Sequence, residues 1–178
     1  MIIWINGSFG VGKTTTAKLL QSKLRKAHIY DPEQVGYFLW DNFPSELACQ
    51  GDFQDMEIWR LINYQVIKHL NDTYDGDIII PMTLAKRQYY DEIIGQLEQN
   101  GIPVRHFILI APYDVIVERL KNRGEESGSW AEQQVERCLA AYRYDIPGIQ
   151  VDTDRMEEET VVEYIMCNCR DTLCIEED

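Results

Sequence analysis

Long apolar runs are missing from this chain of 178 residues. The longest uninterrupted ones, such as Met1–Ile5 and Phe107–Pro112, fall far short of the ~20 residues that span a bilayer. No basic segment followed by a small-residue cleavage pattern stands at the start, so no secretory leader is expected and the cytoplasm is the simplest address. Positive charge is also in short supply, with 17 Lys plus Arg against 30 Asp plus Glu and a formal net charge of −13. Such a surface repels a long polyphosphate, which argues against nucleic acid as a partner. Cysteine is sparse and odd in number: Cys49, Cys138, Cys167, Cys169 and Cys174. That argues against a disulfide framework. The cluster Cys167, Cys169 and Cys174 matches no zinc spacing, and His28, His69 and His106 lie elsewhere, so reduced thiols are expected and not a metal site. Internal repeats, low-complexity tracts and Pro/Gly-rich linkers are absent as well.

What is present is a regular alternation of short apolar runs and helical periodicity. Met1–Asn6 reads as a buried strand ending at Gly7. Ala17, Leu20, Leu24 and Ala27 then recur at helical spacing over Lys13–Ala27. Further strands are expected at His28–Asp31, Asp77–Met82, Val104–Ile110 and Ile149–Asp152. Helices are expected near Pro32–Asn42, Phe53–Tyr74, Lys86–Gln99, Tyr113–Arg123, Trp130–Arg143 and Glu157–Arg170, with a frayed acidic end at Ile175–Asp178. This is an α/β pattern with a five-stranded, mainly parallel sheet. Residues 1–178 read as a single domain, with a helical insertion over 32–76 and a loose polar segment over 124–130.

One contiguous motif carries chemistry. Gly7-Ser8-Phe9-Gly10-Val11-Gly12-Lys13-Thr14 fits G-x-x-x-x-G-K-[ST] at every fixed position, between a strand and a helix. The glycines let successive N–H groups turn inward around phosphate oxygens. Lys13 adds a mobile positive charge, and Thr14 offers a hydroxyl to Mg²⁺. The helix that follows, through Thr15, directs its positive end to the same point. The expected cofactors are therefore ATP and Mg²⁺, despite the acidic total.

Strands three and four do not end in Asp or Glu, and no N/T-K-x-D pattern occurs, which disfavours a hydrolytic switch or motor. Arg119 and Arg123 lie four apart on one helix, and Arg137 follows the loose segment. Guanidinium groups on either side of a hinged loop suit a transferring phosphoryl group, although arginines on an amphipathic helix also commonly face water. Asp31 follows strand two, where ligands collect in open α/β sheets, and could hold or deprotonate an acceptor hydroxyl. Asp31-Pro32-Glu33-Gln34 equally reads as a capping box. Tyr37, Trp40, Phe43, Phe53, Trp59 and Tyr64 crowd the insertion; core packing is the first reading and stacking on a ligand ring the second. Thr83 suits an acceptor hydrogen bond or a turn.

The phosphate loop on strand one, the helical insertion and R-L-x-x-R before a lid-like loop resemble the nucleoside monophosphate kinase, shikimate kinase and gluconate kinase group. More narrowly, "MIIWINGSFGVGKT", "YDPEQVG", "DIIIPMT" and "SWAEQQVERC" resemble the tunicamycin-resistance ATP-binding proteins. The likeness runs from Met1 to about Asp152. It implies a P-loop kinase-like three-layer sandwich, ATP binding through Gly7–Thr15 and an adenine edge near Asp152-Thr153. It also implies an acceptor between insertion and lid, with Lys13, Arg123 and Arg137 around the moving phosphoryl group and Arg119 close by. The acceptor would be a nucleotide, a nucleoside-like compound or tunicamycin; the alternative is ATP-dependent sequestration of the drug.

Overall fold

Ile2–Gly7 (β1) is buried at all six positions, as a strand covered on both faces must be. It lies between Asp77–Pro81 (β3) and Val104–Ile110 (β4). Ala27–Ile29 (β2) pairs outside β3, and Ile149–Asp152 (β5) outside β4. The order is β2-β3-β1-β4-β5 and every pairing is parallel, as the alternating pattern predicts. The chain leaves β1 toward β2 and leaves β4 toward β5, in opposite directions. A crevice therefore opens at the carboxyl ends of β1 and β4, where open α/β sheets bind ligands. The computed structural model describes residues 1–44, 46–47 and 51–170.

Strand alternation divides the interior into two cores. Ile2, Trp4, Ile78, Ile80 and Ile108 face one side. There they meet Glu57–Thr73 (α3) through Trp59 and Ile67, and Trp130–Tyr144 (α7) through Cys138, Ala141 and Tyr142. Ile3, Ile5, Ile79, Phe107 and Leu109 face the other side. They meet Lys13–Lys23 (α1), Tyr113–Asn122 (α6) and Glu158–Arg170 (α8).

Three expected helices differ in detail; that over Phe53–Tyr74 begins as a 3-10 turn, Phe53–Asp55, ahead of α3. The helix expected over Lys13–Ala27 stops at Lys23 and not at Ala27, because Leu24 turns extended (φ −87°, ψ 143°). Leu24 and Ala27 still pack on the α1-side core, so the apolar spacing continues past the helix end. The stretch expected as one helix over Lys86–Gln99 is Arg87–Tyr90 (α4), a π turn at Asp91–Gly95, and Gln96–Gln99 (α5). From that π turn Glu92 accepts a 2.5 Å hydrogen bond from Arg60 Nε of α3. Arg60 also donates to the Gln54 carbonyl (2.6 Å), tying down the 3-10 turn Phe53–Asp55. Cys138 and Cys169 are buried and Cys167 exposed, all three unpaired. No metal-ligating cluster occurs among the described residues. Cys49, Cys174 and the acidic end expected at 175–178 lie outside the described residues. Among the described residues, no helix is long and apolar enough to cross a membrane.

His106 of β4 is almost fully buried. Its Nδ1 donates to the Pro147 carbonyl (2.7 Å), and its Nε2 faces the Asn6 amide nitrogen (3.2 Å) and accepts from it. Both nitrogens are satisfied only in the neutral ring. Desolvation accordingly lowers the His106 pKa to about 4, against the pull of the Pro147 carbonyl. The unfolded chain then binds one more proton between about pH 6.5 and pH 4. The neutral ring's stability is full above pH 6.5 and declines as pH falls toward 4, by roughly 3 kcal/mol. Urea midpoints at pH 7 and pH 4.5 for wild type and His106→Gln check this. The variant should lose markedly less stability on acidification; equal losses would refute the assignment.

Candidate functional site

The turn after β1 is built from glycines. Gly7, Gly10 and Gly12 have φ of 146°, 80° and 111°. At Gly7 a Cβ would lie 2.6 Å from Val11 Cγ1 and 2.8 Å from the Leu109 carbonyl, so the loop is sealed against β4. Lys13 Nζ donates to the Gly7 and Ser8 carbonyls (3.0 and 2.9 Å). It lies 5.4 Å from the Phe9 ring centroid. Burial of the ammonium lowers the Lys13 pKa to about 8, with Cys138 and Glu33 opposing and Arg123 adding to the fall. A polyphosphate anion would reverse that effect by favouring the charged form. Ser8 Oγ is buried with no hydrogen-bond partner among the described residues, a donor suited to a phosphate oxygen. The first turn of α1 carries no acid to compete with an anion.

Asn6, the residue before the loop, holds it from behind. Its Oδ1 accepts from Gly7 N (2.8 Å), Leu84 N (2.9 Å) and Tyr142 Oη (2.9 Å). Its Nδ2 donates to the Leu84 carbonyl (3.0 Å). Thr83 is buried and donates through Oγ1 to the Gly7 carbonyl (2.8 Å). It therefore braces the loop, a role different from the acceptor contact or turn read from the sequence.

Three cavities follow one another along the loop, and Lys13 lines the central one. The first, about 310 Å³, is lined by Gly10–Gly12, Thr15, Arg119, Arg123 and Thr153 among others. Arg119 donates through Nη1 to Thr153 Oγ1 (3.0 Å) and through Nη2 to the Thr153 carbonyl (2.8 Å), with the Val11 carbonyl 3.4 Å from Nη1. It thus joins the segment after β5 to the phosphate loop. The second, about 460 Å³, shares Gly10 and Arg123 with the first and contains Lys13, Thr14, Asp31 and Glu33. The third, about 370 Å³, shares Phe9 and Glu33 with the second. Tyr37, Trp40, Phe53 and Trp130 give it aromatic walls, and Asp52 lines it too. The loop is thus the middle of a continuous path, with an open cleft on one side and an aromatic one on the other.

Other expected site residues fall in different places. Asp152 lines a separate cavity, together with Gln150, and not the cleft beside the loop. Gln150 and Asp152 share one face of β5 while Val151 takes the buried one, so strand alternation points Asp152 away. Arg137 lines none of these three cavities. Val135, Cys138, Ala141 and Tyr142 take the buried face of α7, which leaves Arg137 partly exposed, 3.9 Å from Asp52 Oδ2. Asp31 is in the central cleft, but its carboxylate caps Glu33–Asn42 (α2). Oδ1 accepts from Glu33 N (3.0 Å) and Oδ2 from Gln34 Nε2 (3.1 Å). The sequence reading missed Glu33, which lines both the central and aromatic cavities. It also passed over Asn6 as a brace and Trp130 as a wall. The aromatic residues divide: Trp59, Tyr64 and Phe53 are core, whereas Tyr37 and Trp40 are exposed at the cavity. Phe43 is partly buried against the same core.

A family profile described as an AAA domain matches residues 3–139. Among solved structures, the tunicamycin resistance protein of Deinococcus radiodurans shares 30% identity, with 94% of each chain covered and a TM-score of 0.80. The chain belongs to the tunicamycin-resistance family of P-loop proteins. Other solved structures show the same P-loop kinase-like, nucleotide-binding fold at lower identity. A gluconokinase from Sinorhizobium meliloti matches at 14% identity over 99% of this chain and 97% of the other, TM-score 0.69. A shikimate kinase from Bacteroides thetaiotaomicron matches at 17% over 97% and 98%, TM-score 0.62. A search of the curated proteins found no match. The tunicamycin-resistance fold here therefore stands close to small-molecule kinases in architecture.

Proposed function

We propose that the chain is an ATP-dependent small-molecule kinase that transfers the γ-phosphoryl group to a hydroxyl acceptor. The observation that carries this is the path of cavities, with Lys13 between a cleft bounded by Arg119 and Thr153 and a second cavity beyond Glu33. The triphosphate would lie on Gly7–Thr15, with its base toward Arg119 and Thr153. Lys13 and Arg123 would then hold the transferring group by charge, positioned before the reaction starts. Thr14 is exposed in the central cleft, and Asp31 supplies a hard oxygen nearby. That donor set is too small to cage an ion alone but fits Mg²⁺ arriving with phosphates, where it would neutralise phosphate charge. Residues 124–130 carry Gly124 and Gly128 at φ 89° and 78°, and Trp130 packs edge-on against Phe9 at 5.0 Å. This supports a lid that excludes water from the transfer. The acceptor on this reading is a nucleotide, a nucleoside-like compound or tunicamycin.

Mass spectrometry after incubation with Mg²⁺·ATP tests the proposal against a panel of nucleosides, nucleotides, small sugars and tunicamycin. The expected result is ADP release together with one phosphate added to an acceptor. The engagement of both Asp31 oxygens in capping favours a second reading, ATP-dependent sequestration. Under that reading tunicamycin binds and returns unmodified. ADP release without any modified acceptor would overturn both in favour of a plain NTPase.

A further inference from the structure

The cavity beyond Glu33 differs in chemistry from the phosphate-binding side. Its walls are aromatic: the Trp40 and Phe53 rings lie 5.1 Å apart, the Tyr37 and Phe53 rings 6.1 Å. Gly36 lets α2 approach Phe53 so closely that a Cβ would fall 2.4 Å from the ring. The Phe9–Trp130 pair lines the side facing the loop. These rings already pack edge to face on one another, and the exposed faces of Tyr37 and Trp40 offer a flat ring a surface to stack on. The charged groups lining this space are Glu33 and Asp52; no Lys or Arg lines it among the described residues. Arg137 lies 3.9 Å from Asp52 Oδ2 without lining the cavity. The cations Lys13, Lys18 and Arg123 all belong to the adjoining central cleft.

We infer that this cavity selects an uncharged alcohol carried on a flat ring, the nucleoside class, rejects its phosphorylated counterpart, and sets the acceptor hydroxyl against Glu33. The inference rests on the kinase reading and narrows its acceptor. A phosphomonoester here would bring a second anion against two carboxylates in a partly desolvated space. A neutral ring meets no such penalty. Glu33 is better placed than Asp31 to meet the hydroxyl. It lines both cavities, and among the described residues its carboxylate accepts one hydrogen bond, a long one from Tyr37 Oη (3.4 Å). Trp59 Nε1 donates to the Pro32 carbonyl (3.1 Å) and fixes the start of α2, hence the position of Glu33. Burial and the neighbouring Asp31 raise the Glu33 pKa, with Lys13 and the Tyr37 hydroxyl opposing. A carboxylate held in that way is a stronger proton acceptor than a solvated one. In the transfer, the acceptor oxygen bonds to the γ-phosphorus as the bond from phosphorus to the β–γ bridging oxygen breaks. ADP leaves with that electron pair, and the hydroxyl proton passes to Glu33.

Calorimetric titration of the full chain with adenosine, guanosine, cytidine and uridine, and with their 5′-monophosphates, tests selection apart from transfer. At least one nucleoside should bind, and its monophosphate should bind ten-fold or more weakly. The Glu33→Gln/Asp52→Asn double variant should narrow that ratio about ten-fold. With a transferred substrate, Glu33→Gln alone should lower kcat on the order of a hundred-fold while KM moves little. Silence from every nucleoside at millimolar concentration, or equal binding of a monophosphate, would overturn the inference. Transfer to a monophosphate would sink it and leave the kinase reading standing. Nucleoside binding without any ADP formation would sink the kinase reading and leave ring selection intact.

Discussion

Replacing Lys13 with alanine should lower kcat/KM for phosphoryl transfer by about a thousand-fold, roughly 4 kcal/mol of transition-state stabilisation. The ammonium bridges the Gly7 and Ser8 carbonyls and lines the central cleft. Arg123 shares that cleft but is anchored at the end of α6, and cannot supply a charge inside the loop. The same residue predicts a pH dependence. With its pKa lowered to about 8 by burial, Lys13 in the free protein loses its proton above that pH. Nucleotide binding favours the ammonium, so affinity is full below about pH 8 and weakens above it, by up to about ten-fold per unit. Titrations between about pH 7 and 9.5 should show this slope in wild type and none in Lys13→Ala. Near-normal turnover in the variant would remove the loop from the mechanism.

Asn6→Ala should destabilise the protein by about 3–5 kcal/mol and abolish tight nucleotide binding. Alanine would strip side-chain partners from Gly7 N, Leu84 N, the Leu84 carbonyl and the Tyr142 hydroxyl together. These groups are buried, and water cannot replace the lost amide without a cavity to enter. The first glycine of the loop would then lose its orientation as well as its stability. Tyr142→Phe removes one of these bonds and should cost only about 1 kcal/mol. Urea unfolding gives the stabilities, and calorimetry with a purine triphosphate gives the affinity. An Asn6→Ala variant no weaker than Tyr142→Phe would show that the amide is not the hub.

Much of the architecture was legible from local pattern. Val104–Ile110 and Ile149–Asp152 are strands at the expected bounds, because strand alternation and flanking turns are written in neighbouring residues. The phosphate loop was legible for the same reason, since all its parts are contiguous. The helix expected to reach Ala27 shows the limit: Leu24 and Ala27 keep helical spacing, yet they pack from a turn and a strand. Periodicity reports which side faces the core, not which backbone shape brings it there.

The chain's own order of residues determined the sheet, the nucleotide-binding loop and the family. Tertiary packing decided which side chains serve that loop. Asn6 finds its partners 78, 100 and 136 positions away, and no local spacing announces such contacts. Arg137 looks suited to a phosphate site by type and Asp152 to the adenine edge by position, but helix rotation and strand alternation place them elsewhere. Glu33 looks like an ordinary first-turn acid until the packing of Trp59 and Gly36 sets it between two cavities. Residue type and spacing encode short-range geometry, whereas a cleft is made where distant segments meet.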